Sequence, residues 1–272
     1  RAQPTSWRIA EELSEMTEEL RIDDSCHGIF YSPCNPNFYS PGFPPAVIRV
    51  HGGPTSQYLA EYHTETQFLA TRGFAVLELN YRGSTGYGRT YRNALRERWG
   101  EADTADAAAA AAFLSQNQIA DLHKLVIRGG SAGGFTVYNS LIHHPGTFKA
   151  GVCFYGVSNL FTLDLDTHKF EAHYTRSLVG HLPEASARFH AWSPVYHAAN
   201  IRDALIIFQG EEDKVVPPSQ SNEIIEILRR KGSMVEYHLY PGEGHGFRLR
   251  PNILAARKAE ERFLLSQVLF SV

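Results

Sequence analysis

The sequence predicts an α/β fold with a mostly parallel central sheet and helices on both faces. Three observations carry this. From Ala46 onward short apolar runs alternate with helical patterns, the signature of parallel strands joined by crossover helices. The helices carry end signals: Pro217-Pro218-Ser219 opens one, Lys231-Gly232 closes it, and Asp103 and Asp106 put negative charge in the first turn of another. Finally, Gly129-Gly130-Ser131-Ala132-Gly133-Gly134 follows an apolar run from Lys124 to Ile127 and precedes a helical stretch, giving strand, sharp turn and helix.

Taken in chain order, the first 45 residues read as a leading segment or linker, with an acidic helical piece over Glu11 to Leu20 and a proline-rich stretch at Pro33, Pro36, Pro41, Pro44 and Pro45. Residues 46–272 then form one globular domain. Strands are expected at Ala46 to Val50, Phe74 to Leu79, Leu125 to Ile127, Ala150 to Phe154, Leu205 to Gln209 and Val235 to Tyr240. Helices are expected at Tyr58 to Thr71, Asp103 to Gln116, after Ser131, Ser219 to Lys231 and Asn252 to Leu269. Val157 to Asn200 breaks the alternation, and such an excursion above a sheet supplies pocket walls or a small cap.

Composition narrows the function classes. A net charge of -3 with mixed signs leaves no basic stripe for nucleic acid or an anionic membrane. No apolar run approaches the roughly 18 residues that span a bilayer. Three cysteines, Cys26, Cys34 and Cys153, are few and odd in number, which favours a reducing compartment, and a cytoplasmic location is expected. Gly83-Ser84-Thr85-Gly86-Tyr87-Gly88 has neither nucleotide-loop spacing and reads as a structural turn, so no cofactor is expected. His143-His144 are helix neighbours that point apart, and no metal-binding spacing occurs, so no metal is expected either.

Chemistry gathers around Ser131, whose flanking glycines let the backbone turn sharply and raise one hydroxyl above the sheet edge. A serine hydroxyl is a poor nucleophile at neutral pH; it needs a base within hydrogen-bond reach and a carboxylate to orient that base. His245 lies in a glycine-flanked loop after the Val235 strand, and Glu211-Glu212-Asp213 follows the Leu205 strand. Asp213 is the preferred carboxylate because Glu211 and Glu212 fall nearer the strand end. The order Ser, Asp, His is that of α/β-hydrolases. Donors for a developing oxyanion are the backbone N–H of Ala132 and one from His51-Gly52-Gly53-Pro54, with Gly53 favoured and Gly52 open.

With these residues in place the chain resembles the catalytic domain of the prolyl oligopeptidase family, in its acylaminoacyl-peptidase and dipeptidyl-peptidase-like branch. The resemblance is carried by His51 to Ser56, Asn80 to Gly88, Gly129 to Gly134, Gly210 to Pro217 and Gly242 to Arg248. It implies an α/β-hydrolase fold and a serine peptidase that cleaves short peptides or N-blocked amino acids through an acyl-enzyme. It also implies that Val157, Leu160, Val215 and Val216 line an apolar pocket for the residue before the scissile bond. His51 stands where prolyl oligopeptidases and dipeptidyl peptidases proper have a tyrosine, which moves oxyanion binding onto the glycine pair.

The resemblance further implies a β-propeller ahead of this chain, and the start at Arg1 leads us to expect a fragment of a longer protein. A carboxylesterase of the same fold and a non-catalytic binding or scaffold module are the competing functions. The exact substrate and the quaternary state, a homo-oligomer included, are left open.

Overall fold

The computed structural model describes residues 17–22, 26–35, 37, 41–166 and 172–270. Eight strands form one sheet: β1 (Thr17–Ile22), β2 (Cys26–Tyr31), β3 (Ala46–Val50), β4 (Ala75–Asn80), β5 (Leu125–Gly130), β6 (Ala150–Phe154), β7 (Ala204–Gly210) and β8 (Val235–Tyr240). Their order is β1-β2-β4-β3-β5-β6-β7-β8. Only the β1–β2 and β2–β4 pairings are antiparallel; every pairing from β4 through β3 to β8 is parallel. The α/β expectation is met. The parallel strands carry near-continuous apolar runs because both faces of the sheet are covered.

Nine helices are described: α1 (Thr64–Ala70), α2 (Gly88–Asn93), α3 (Ala102–Gln116), α4 (Ala132–His143), α5 (Leu160–Asp166), α6 (Ala172–Val179), α7 (Ser186–Trp192), α8 (Pro218–Lys231) and α9 (Arg250–Leu264). One core joins Ile48, Leu77 and Ile127 of the sheet to Ala107 of α3, Phe135 of α4 and Ile224 of α8. The other joins Val47, Val76, Val126 and Phe208 to Leu69 of α1 and Phe263 of α9. Alternate strand residues serve the two cores, as the period of two requires.

Several expectations need correction. Residues 17–20, expected in a helix, lie in β1, where Ile22 and Leu20 turn toward the core and Arg21 outward; residues 11–16 and Pro36 lie outside the described residues. Residues 17–22 and 26–31 of the expected linker are thus two strands of the sheet. The helix expected from Tyr58 begins only at Thr64, because the Asn80 side chain grips the Tyr58 backbone: Tyr58 N–H donates to Asn80 Oδ1 at 2.7 Å and Asn80 Nδ2 donates to Tyr58 O at 3.1 Å. The last helix ends at Leu264 and passes into one wide turn, Leu265–Leu269. The excursion after Val157 holds α5, α6 and α7, each of seven or eight residues and too short for a clear period.

Asp103 and Asp106 were expected to act on the helix dipole, and they do more. Both are fully buried. Asp103 accepts hydrogen bonds from Gly100 N and from Thr136 Oγ1 of α4, each at 2.6 Å. Asp106 pairs with Arg82 at 2.6 Å and accepts from its backbone N–H at 2.6 Å. They tie α3 to the helix behind Ser131 and to the loop after β4. Cys153 is a buried free thiol in β6, and burial pushes its pKa up to about 12.

Phe208 is fully buried and stacks on Phe154 with ring centroids 4.6 Å apart. Phe208→Ala is expected to destabilise the protein by about 3–5 kcal/mol through the lost burial and the cavity left behind. Urea unfolding checks this; a loss under about 1 kcal/mol would contradict the packing.

Candidate active site

Ser131 stands between β5 and α4 with φ 57° and ψ -122°, a conformation that costs a non-glycine residue on the order of 1–3 kcal/mol. The surroundings hold it there. Ser131 N–H donates to Phe154 O at 3.0 Å, extending the β5–β6 ladder by one residue, and its own carbonyl accepts from Phe135 N at 3.1 Å to start α4. A Cβ on Gly133 would sit 2.3 Å from Val50 O, so α4 can pass this close to β3 only with glycine there.

His245 and Asp213 come to this serine from loops after β8 and β7. His245 Nε2 lies 2.9 Å from Ser131 Oγ, and His245 Nδ1 lies 2.8 Å from Asp213 Oδ2. A carboxylate can only accept, so Nδ1 carries the proton and Nε2 is left to accept from the serine hydroxyl. Asp213 is buried, and its other oxygen accepts from Val215 N and Val216 N at 2.9 Å each. Both carboxylate oxygens are therefore spoken for, which fixes the plane of the imidazole.

The two loops brace each other. Glu212 N–H donates to Glu243 O at 2.8 Å. The buried Glu243 carboxylate accepts from Arg248 N at 2.7 Å, Leu249 N at 2.9 Å and Asn252 Nδ2 at 3.0 Å, anchoring the His245 loop to the start of α9. Burial alone would raise its pKa, but the hydrogen bonds from Arg248, Asn252 and Leu249 outweigh it and hold the carboxyl below its ordinary value.

The oxyanion side is set by His51. Its Nδ1 lies 2.9 Å from Gly52 O, which can only accept, so Nδ1–H donates and Nε2 accepts from Ser84 Oγ at 2.8 Å. Burial lowers the His51 pKa to about 4, so the ring is neutral at pH 7, and it stacks on Tyr81 at 4.3 Å. Within one planar trans peptide the C=O and N–H point in opposite directions. Holding Gly52 O on the imidazole thus aims the Gly53 N–H away from it, and the φ of +118° at Gly53 is open to glycine and strained for other residues. Gly53 and Ala132 line the same cavity as Ser131. The loop from Gly83 contributes Ser84 to the site, and its Thr85 N–H donates to Ser56 O at 2.8 Å.

That cavity measures 660 Å³ and has both apolar and charged lining. Val157, Val215 and Val216 are part of the apolar lining, together with Trp99, Leu163 and Leu178. Leu160 is a correction: it is fully buried in the main core under the first turn of α5, and Leu163, three residues on, takes the wall. Tyr174 of α6 accepts from Thr55 N at 2.9 Å and donates to Thr55 Oγ1 at 2.8 Å, tying the excursion to the oxyanion loop.

Arg49, Glu65 and Arg128 add charge to the lining and belong to a larger ion-pair network. Arg49 pairs with Glu78 at 2.5 Å and Glu65 at 2.8 Å, and Arg128 pairs with Glu65 at 3.0 Å and Glu260 at 2.6 Å. Arg257 joins Glu65 and, at 2.8 Å, Glu260. Burial works to raise the Glu260 pKa, and the attraction of Arg128 and Arg257 wins and lowers it. Sequence reading missed this network, as well as Glu243 and Tyr174. Lone charged residues inside strands, such as Arg49 and Arg128, were the available signal. Among the described residues no group of three His, Cys, Asp or Glu side chains is arranged to hold a metal, and no helix is long and apolar enough to cross a membrane.

Sheet order, strained serine turn and the Ser131–His245–Asp213 array together define an α/β-hydrolase. The family model for the prolyl oligopeptidase family, Peptidase_S9, matches residues 60–269, and the chain belongs to that family. Dipeptidyl aminopeptidase BIII of Pseudoxanthomonas mexicana is 34% identical over 226 residues, 81% of this chain and 33% of that protein. The acylamino-acid-releasing enzyme of Sus scrofa is 32% identical over 208 residues, 74% of this chain and 28% of that enzyme. Among solved structures, a puromycin-hydrolyzing peptidase of Mycobacterium tuberculosis is 37% identical with a TM-score of 0.90, over 94% of this chain and 40% of that one. The chain thus spans about a third of the length of these curated relatives.

The His51 pKa gives a pH prediction. A histidine whose folded pKa lies below its unfolded value contributes stability that is present above about pH 6.5 and is lost as pH falls toward about 4. Between pH 7 and pH 4.5 this one group is expected to remove about 2 kcal/mol of stability. Urea unfolding at both pH values checks it: the fall should be smaller by that amount in His51→Asn, and an equal fall in both proteins would contradict a buried neutral ring.

Proposed function

We propose that the protein is a serine peptidase that releases residues from the amino end of short peptides or from N-blocked amino acids. The observation that carries this is the continuous relay of 2.8 Å and 2.9 Å from Asp213 through His245 to Ser131, beside a cavity that Gly53 and Ala132 also line. Ser131 Oγ attacks the scissile carbonyl carbon while His245 Nε2 takes the hydroxyl proton; Asp213 holds the imidazolium in place. The oxyanion is met by the two amides. The proton then passes from His245 to the leaving nitrogen, the C–N bond breaks, and an ester to Ser131 remains. Water adds to that ester as His245 takes its proton, and return of the proton to Ser131 Oγ frees the acid.

Three relatives whose names describe dipeptidyl, acylamino-acid and puromycin cleavage support release from the amino end. The apolar lining residues Val157, Val215, Val216 and Leu163 support an apolar residue before the scissile bond. The relatives' greater length supports a further domain ahead of this one, and we propose the β-propeller that the family resemblance implies. The small, odd number of cysteines supports a cytoplasmic location.

A fluorophosphonate probe tests the reading directly. Labelling of the wild type and none of Ser131→Ala is the expected result; absence of labelling in both would favour a scaffold. Asp213→Asn is expected to lower kcat by about 10⁴-fold, because the imidazole loses its correct tautomer. A matched panel of aminoacyl, dipeptidyl and acyl-aminoacyl amides and esters separates peptidase from esterase: brisk ester turnover with amide turnover near zero would overturn the peptidase assignment. Across that panel, preference for Lys or Asp before the scissile bond would contradict the apolar pocket.

A further inference from the structure

A second cavity of 550 Å³ lies beside the first, and the two share Glu65, Phe154 and Tyr155 as a common wall. His245 lines the first, while Gly246 and Phe247, the next two residues, line the second. The His245 loop therefore runs along the rim between them. Phe68 of α1 and Ile253 of α9 complete an aromatic and apolar lining.

Tyr155 is the pivot of this arrangement. It has φ 38°, uncommon for a residue with a side chain, and such strain persists only where the surroundings impose it. The strained backbone brings its ring to 4.6 Å from the His245 ring, and a Cβ on Gly130 would meet Tyr155 Cε2 at 3.1 Å. The ring is thus wedged between the residue before the nucleophile and the base. Its outer side meets Phe247 edge-on at 5.9 Å and 79°, and Phe154 stands 6.2 Å from Phe247.

In the proposed reaction the leaving nitrogen receives its proton from His245 Nε2, so the leaving half of the substrate must pass beside the His245 ring. The hollow bounded by Tyr155 and Phe247 is next to that ring. We infer that this second cavity is the subsite for the leaving group and that it selects an aromatic or large apolar side chain immediately after the scissile bond. The inference rests on the peptidase reading above.

Charge in the cavity does not favour an ionic leaving group. Arg257 is bound to Glu65 and Glu260, and Glu65 also accepts from Arg49 and Arg128, so the ionic floor is internally paired. Selection falls to ring stacking and burial.

The test compares leucyl-phenylalaninamide with leucyl-glycinamide, leucyl-aspartamide and leucyl-lysinamide, each free and N-acetylated, using the ratio of kcat/KM within each protein. In the wild type the phenylalaninamide is expected to exceed the other three by about tenfold. That ratio should fall toward one in Phe247→Ala, which removes the stacking wall, and in Ile253→Trp, which fills the hollow. A ratio near one in the wild type, or one unchanged in both variants, overturns the subsite. Fluorophosphonate labelling separates the two ideas: a labelled wild type with a flat ratio sinks the subsite alone, and an unlabelled wild type sinks the peptidase reading and the subsite with it.

Discussion

The close approach of α4 to the end of β3 is the constraint on which the site depends. Val50 O would lie 2.3 Å from any Cβ at position 133, so the helix behind Ser131 sits as near the sheet as backbone permits. That proximity leaves the chain no room for a relaxed turn, and Ser131 takes up the difference at φ 57°. Its strain is offset by burial of α4, from which Phe135, Val137 and Tyr138 enter the main core. A gentler turn would withdraw the hydroxyl from His245 and the Ala132 amide from the cavity together.

Around this point the structure uses two kinds of polar support. Near the reacting atoms the ties are local: Val215 and Val216 amides on Asp213, Gly52 O on His51, Glu243 on the turn into α9. Behind them lies a set of buried and half-buried ion pairs linking β3, β4, β5, α1 and α9 through Arg49, Glu78, Arg128, Glu65, Glu260 and Arg257. Buried pairs contribute little net stability over apolar packing, since each ion must be desolvated. Breaking one leaves an uncompensated charge in the interior, however, so the set strongly penalises any shift of β3 against β5. Those are the strands that the His51–Gly53 loop and Ser131 follow.

Much of this was legible in the sequence. The six parallel strands were visible as apolar runs, and Ser131, Asp213 and His245 each follow such a run in a glycine-containing or acidic loop. What escaped reading depended on partners distant in the chain. Residues 58–63 have a helical pattern, yet Asn80 holds the Tyr58 backbone outside the helix. The hairpin of β1 and β2 carries few apolar residues on its outer strand and is recognisable only through its pairing with β4. Leu160 and Leu163 are indistinguishable by composition, and only the orientation of α5 decides which one reaches the cavity. Tyr155 looks like an ordinary residue at a strand end until its backbone conformation is seen.

Val215 and Val216 serve twice: their amides fix Asp213, while their side chains wall the cavity. An amide donates the same hydrogen bond whatever side chain it carries, proline excepted. Orientation of the imidazole and shape of the cavity wall are thereby decoupled at one dipeptide. Substituting these two positions is a design route for reshaping the cavity that leaves Asp213 anchored.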